Sequence, residues 1–223
     1  MSFCENCVKG VTHDGEPKGK WEVINGVNSY VATPTKDYPK DKVLLYLADI
    51  FGPQLINNRL LADDFANNGF KTIVPDIFNG DPAPADALTD GSTWDLYQWF
   101  GGHGQDKTRP TVDKVLEALK SEGVTSFGVL GYCFGDPADL EKYKSDAKAP
   151  LLISSCPVDS QFPLEASEQA DKIFADFGPG YKREHFEGCT HGFAVRGDMK
   201  DPNVKAGKEG AFKATVEWMI KHL

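Results

Sequence analysis

The chain has 223 residues, enough for one domain over 1–223 with a substantial core. Its residues are 40% apolar and 26% charged, and a formal charge of −9 with no Lys/Arg cluster argues against nucleic acid or an anionic membrane surface as a partner. No apolar run approaches the ~18 residues of a membrane span, and the opening Met-Ser-Phe-Cys-Glu-Asn-Cys lacks the basic and apolar regions of a secretory leader, so a cytoplasmic protein is expected.

In chain order, Trp21-Glu22-Val23-Ile24, Asn25-Gly26 and Val27–Val31 predict a β-hairpin, because Asn-Gly supplies the two positive-φ residues of a type I′ turn. The pattern then changes. Val43–Leu47, Thr72–Val74, Phe127–Leu130 and Leu151–Ile153 are short apolar runs, as in parallel strands buried on both faces. Helices are predicted between them. Ile56, Leu60, Leu61 and Phe65 form one stripe, stopped by Asn68-Gly69. Val112, Val115, Leu116 and Leu119 form another, with Pro110 before it and Gly123 after. Ala166, Ala170, Ile173, Phe174 and Phe177 form a third, ended by Gly178. Tyr181–Phe186 reads as a last strand, and Phe212, Val216, Met219, Ile220 and Leu223 as a closing helix. Residues 79–93, rich in Asp, Pro, Gly and Ala, read as a surface loop. The expectation is an α/β fold: a mostly parallel sheet with an N-terminal antiparallel hairpin and helices on both faces.

Five cysteines, at 4, 7, 133, 156 and 189, have no framework spacing and are expected as thiols in a reducing compartment. Cys4-x-x-Cys7 lacks a second pair to complete a zinc site and a preceding strand to make a thioredoxin-like unit.

Gly131-Tyr132-Cys133-Phe134-Gly135 follows a predicted strand. Cys133 is then either a nucleophile on a strained elbow, with the Phe134 N–H facing the substrate carbonyl, or a buried thiol beside a Gly-rich turn. Two later stretches favour the first. Asp159 lies just past the strand at Leu151–Cys156, and His191 sits in a Gly-bounded loop after another predicted strand. The order Cys133, Asp159, His191 is nucleophile, acid, base, and strand ends on one edge of a parallel sheet can bring such residues together.

The segments "LADIFG", "VPDIF", "GYCFG", "PVD" and "THGFAVRGD", in this order, resemble the dienelactone hydrolase family, and its fungal-type branch most. The resemblance implies an α/β-hydrolase fold, a Cys133–His191–Asp159 triad, and hydrolysis of small esters or lactones through a thioester, without metal or cofactor. It further implies that Ile50 and Phe134 donate the oxyanion N–H groups. Asp49 takes the place of an acid, commonly Glu, that contacts the resting thiol. Arg196 matches an arginine that holds a substrate carboxylate, so the substrate is expected to be a small molecule, and an anionic one fits. The chain departs from the family at one place. Gly135 runs straight into Asp136-Pro137, where the family continues with a helix and a further strand, so one helix–strand unit is expected to be missing. Two alternatives to an active hydrolase follow: an impaired hydrolase scaffold that serves as a binding or interaction protein, and a redox protein using Cys133 or the N-terminal pair.

Overall fold

The computed structural model describes residue 11 and residues 13–89, 91–133 and 137–223. The chain divides into two compact units, whose main segments are Thr12–Phe134 and Gly135–His222.

The first unit is built on a five-stranded sheet in the order β1-β2-β4-β3-β5. Strands β1 (Lys20–Ile24) and β2 (Val27–Ala32) form the expected hairpin. Asn25 and Gly26 have φ of 47° and 80°, the two positive values that its turn requires. β2 pairs antiparallel with β4 (Thr72–Pro75), and β3 (Lys42–Leu47) pairs parallel with both β4 and β5 (Ser126–Gly131). Residues 43–46 of β3 are all buried, as an unbroken apolar run predicts for a central strand.

Helices cover both faces of this sheet. Val115 and Leu119 of α3 (Gln105–Ser121) pack on Val31, Val43, Leu45 and Ile73. On the opposite face, α1 (Ile56–Asn67) holds Tyr30 and Tyr46 by their hydroxyls, which donate to Asp63 and Asn58. Each fully buried Val or Leu here contributes about 1.5–3 kcal/mol.

Two helical boundaries differ from expectation. α3 begins at Gln105, so Pro110 lies inside it rather than ahead of it. Pro110 removes the N–H that would bond the Asp106 carbonyl, and Asp106 is exposed, so water can take that bond. A short helix α2 (Leu96–Gly102) follows the 79–93 loop, and apolar periodicity did not announce it. Its start is fixed by Asp95, whose carboxylate accepts from the Tyr97 and Gln98 N–H groups at 2.9 and 3.0 Å.

The second unit opens with a 3-10 turn (Pro137–Asp139) leading into α4 (Leu140–Asp146). β6 (Leu151–Ser155) and β7 (Tyr181–His185) make a two-stranded parallel sheet of their own. On one face, Leu151, Ile153 and Tyr181 pack against Ala170, Ile173 and Phe174, contributed mainly by α5 (Leu164–Ile173). A four-residue helix α6 (Phe193–Arg196) and a long α7 (Pro202–His222) complete the unit. α7 starts ten residues before the apolar stripe at Phe212, where Asp201 caps it by accepting from the Asn203 N–H at 2.8 Å. Among the described residues no helix is long and apolar enough to cross a membrane.

A polar row crosses the same sheet face. Arg183 donates to both carboxylate oxygens of Asp171, and the Tyr181 hydroxyl donates to Asp171 at 2.9 Å. The Arg183 hydrogen bonds hold the Asp171 carboxyl below its usual value of 3.8. A depressed carboxyl stabilises the fold fully above its unfolded value, and the contribution is lost as pH falls through the folded one. Asp171→Asn is therefore expected to lower the melting temperature near neutral pH and to converge on the parent as the solution is made strongly acidic. The Asp171 side chain is 43% exposed, so the difference at neutral pH should be about 1 kcal/mol or less. Paired thermal melts across pH check it, and a gap that widens toward acid contradicts it.

Candidate active site

The predicted site residues fall into two groups. Asp49, Ile50 and Cys133 belong to the first unit, and Asp159, His191 and Arg196 to the second. Phe134 lies outside the described residues, as do Cys4, Cys7 and the Gly135-Asp136 junction.

Cys133 follows β5 by one residue and has φ of 72°. It is one of three non-glycine residues with positive φ among those described, and the other two, Asn25 and Asn79, are of the type that tolerates it. A β-carbon in this region costs about 1–2 kcal/mol. Strain of this kind is kept where it aims a side chain. The thiol is half-buried and packs against an apolar cluster that includes Ile50, Phe51, Phe78 and Trp99. A Cβ on Gly131 would meet the Leu47 carbonyl at 3.5 Å, an ordinary contact, so crowding does not require glycine there.

The turn after β3 carries Asp49 and Ile50, both buried. The Asp49 carbonyl accepts from the Gly52 N–H at 2.8 Å, and its carboxylate accepts from the Phe51 N–H at 3.2 Å. The Ile50 carbonyl accepts from the Ala83 N–H at 2.8 Å, so the 79–93 loop is tied to this turn. A trans peptide is planar, with N–H and C=O on opposite sides. With the Asp49 carbonyl held by Gly52, the direction of the Ile50 N–H is fixed.

In the second unit, Val158 and Thr190 form an isolated parallel bridge beyond the ends of β6 and β7. This places Asp159 beside His191, whose own N–H donates to the Val158 carbonyl at 2.9 Å. His191 Nδ1 and Asp159 Oδ1 are 2.8 Å apart, with the carboxylate the more shielded of the two. The same Oδ1 accepts from the Gln161 and Phe162 N–H groups at 2.8 and 3.0 Å. These bonds hold the carboxylate still. Because Nδ1 faces a carboxylate it carries the proton, and Nε2 is the basic nitrogen. Gly192 follows with φ of 84°, and a Cβ there would meet Arg196 Nη2 at 2.8 Å. Glycine at 192 thus permits both the turn and the seat of the guanidinium.

The other two described thiols are poor nucleophiles. Cys156 and Cys189 are buried. Burial pushes the Cys156 thiol up to about 11, with the Asp159 carboxylate adding to it, and burial also raises Cys189. Among the described residues no group of three His, Cys, Asp or Glu side chains is placed to hold a metal ion. Two residues beside the site had no signal in the sequence: Asn58 and Tyr46, both fully buried, which hold the Asp49–Gly52 turn from below.

Comparison with known proteins agrees with this arrangement of elements. The solved structure of a dienelactone hydrolase from Klebsiella pneumoniae, described as putative, superposes with a TM-score of 0.69 at 16% identity, covering 92% of this chain and 99% of that one. It shows the α/β-hydrolase fold. "Hydrolase pyvD" of Aspergillus violaceofuscus is 31% identical over 242 residues, covering 97% of this chain and 96% of its own. "Dienlactone hydrolase 2" of Gibberella moniliformis is 32% identical over 217 residues, covering 95% and 92%. The pyvD alignment is longer than this chain, so that relative carries residues this one lacks. The family model for dienelactone hydrolases matches in two segments, 27–141 and 136–223. They meet between β5 and β6, where the helix–strand unit was expected to be missing. With both segments matched and relatives above 30% identity along nearly the whole length, the chain belongs to the dienelactone hydrolase family, a family of carboxylic ester and lactone hydrolases.

Proposed function

We propose that this protein, acting as one catalytic domain, cleaves small carboxylic esters or lactones through an acyl-thioester on Cys133. His191 Nε2 takes the thiol proton, and the thiolate attacks the carbonyl carbon. The N–H groups of Ile50 and Phe134 receive the oxyanion. His191 then protonates the departing alkoxide, deprotonates a water, and that water releases the acid from the thioester. Asp159 holds the Nδ1 proton and offsets the imidazolium charge. Asp49, in the Ile50 turn, is assigned the contact with the resting thiol, and Arg196 the recognition of an anionic substituent. No cofactor has a part in this scheme. A reducing cytoplasm, free of any nucleic-acid or membrane partner, suits the thiol and the charge of −9.

The observation that carries this reading is the positive φ of Cys133 directly after β5. The test is acid quenching during turnover of p-nitrophenyl acetate, followed by peptide mass mapping. An acetyl group is expected on the peptide containing Cys133 and not on those containing Cys156 or Cys189. Turnover with no acetyl on the Cys133 peptide at any quench time overturns the reading. A second reading, an impaired scaffold that only binds, is favoured by the division of the family match into two segments that overlap at 136–141. A folded protein that neither turns over esters nor acylates at Cys133 would select it.

A further inference from the structure

Asn58 on α1 has no exposed surface, yet it is polar. Its amide nitrogen donates to Asp49 Oδ1 at 2.9 Å and to the Gly52 carbonyl at 2.8 Å. Its amide oxygen accepts from the Tyr46 hydroxyl at 2.5 Å. Both amide hydrogens and the oxygen are thus engaged, and the orientation is forced, because a carbonyl oxygen can only accept. Gly52, with φ of 60°, closes the turn that these bonds grip. Tyr46 reaches in a second direction. Its ring meets the ring of Tyr132 edge to face, with centroids 5.9 Å apart and planes at 87°. Tyr132 immediately precedes Cys133. One buried pair therefore touches the turn bearing the Ile50 N–H through hydrogen bonds, and the residue before the thiol through a ring contact.

We infer that Asn58 and Tyr46 are positioning residues for acyl transfer, setting the Ile50 N–H relative to the Cys133 sulfur; the inference rests on the hydrolase reading above. Neither side chain is assigned a contact with substrate. A donor aimed at the developing oxyanion acts mainly on kcat, and a small shift in its direction loses the benefit.

Asn58→Asp keeps the shape but sets a carboxylate against the Gly52 carbonyl and the Asp49 carboxylate, which turns the grip into repulsion. With p-nitrophenyl acetate its kcat is expected to fall about 10²-fold, with KM within about twofold of the parent, as for a lost oxyanion donor. Tyr46→Phe removes one hydroxyl and is expected to lower kcat about three- to tenfold by loosening the Asn58 oxygen. Alkylation of Cys133 by iodoacetamide develops no oxyanion, so its rate should stay within about twofold in Tyr46→Phe, which leaves the Asn58–Asp49 hydrogen bond in place. A merely structural role lowers the melting temperature and leaves kcat below that temperature unchanged. Unchanged kcat in folded Asn58→Asp overturns the inference, and where that variant does not fold, unchanged kcat in Tyr46→Phe does so. Alkylation slowed in step with kcat in Tyr46→Phe also overturns it, because the thiol itself would then be disturbed. Full turnover in Cys133→Ala removes the Cys133 acyl-thioester reading and this inference together, whereas loss in Cys133→Ala with no change in either variant removes this inference alone.

Discussion

Replacing Cys133 by glycine is expected to abolish ester turnover and to leave the protein at least as stable as Cys133→Ala. The chemistry alone sets the first half. Removing a nucleophile from a unit of nucleophile, base and acid costs about 10⁴-fold or more in kcat. The second half comes from φ of 72° at this position. Cysteine and alanine both carry the Cβ that resists this conformation, at about 1–2 kcal/mol, and glycine carries none. Glycine gives back about 0.4–1 kcal/mol through the extra freedom of its unfolded chain. The thiol also packs on the Ile50–Trp99 cluster, but alanine and glycine both lose that contact, so comparing the two isolates the backbone. Progress curves and thermal melts of the parent, alanine and glycine proteins make the measurement. A glycine variant that melts well below the alanine variant would show that the strain at 133 is not what the backbone angle says.

The parts of this fold legible in the sequence are those where one residue type has one physical use. Asn25-Gly26 fits a type I′ turn and little else, and β3 shows as an unbroken apolar run because it is buried on both faces. His191 and Asp159 were legible as residues past strand ends, and their 2.8 Å contact follows from the pairing that continues from β6 and β7 to Val158 and Thr190. What was not legible depends on contacts distant in sequence or on capping. α2 is too short to show a stripe and is started by Asp95 alone, and α6 is a single turn after Gly192. Asn58 shares a helical face with Leu61 and Phe65 of α1, but its type named no partner; only the fold of the Asp49–Gly52 turn supplies them. The expected loss of a helix–strand unit was legible only against the family pattern. Asp136-Pro137 is an acceptable helix start by itself, and the structure does place a 3-10 turn at Pro137–Asp139 ahead of α4.

The geometry at Asp159 separates two substitutions that usually behave alike. Asparagine in place of a triad aspartate commonly turns an N–H toward the histidine, forces the wrong tautomer, and lowers kcat about 10⁴-fold. Here His191 Nδ1 and the N–H groups of Gln161 and Phe162 all converge on the same oxygen, Oδ1. Two main-chain donors fix which atom must be an oxygen, so the amide of Asp159→Asn is expected to keep its oxygen at the Oδ1 position and still accept from His191. The tautomer then survives, and only the stabilisation of the imidazolium by a full negative charge is lost. Asp159→Asn is therefore expected to lower kcat about 10- to 10²-fold, the loss of one charge-assisted bond of roughly 1.5–3 kcal/mol. Asp159→Ala removes the cap over Gln161 and Phe162 as well as the partner of His191, and about 10⁴-fold is expected. Steady-state kinetics of the two variants on one ester reads the ratio directly. Equal losses in both would mean that the substituted amide turns its nitrogen to the ring, and that the two main-chain N–H groups do not control the orientation of the side chain.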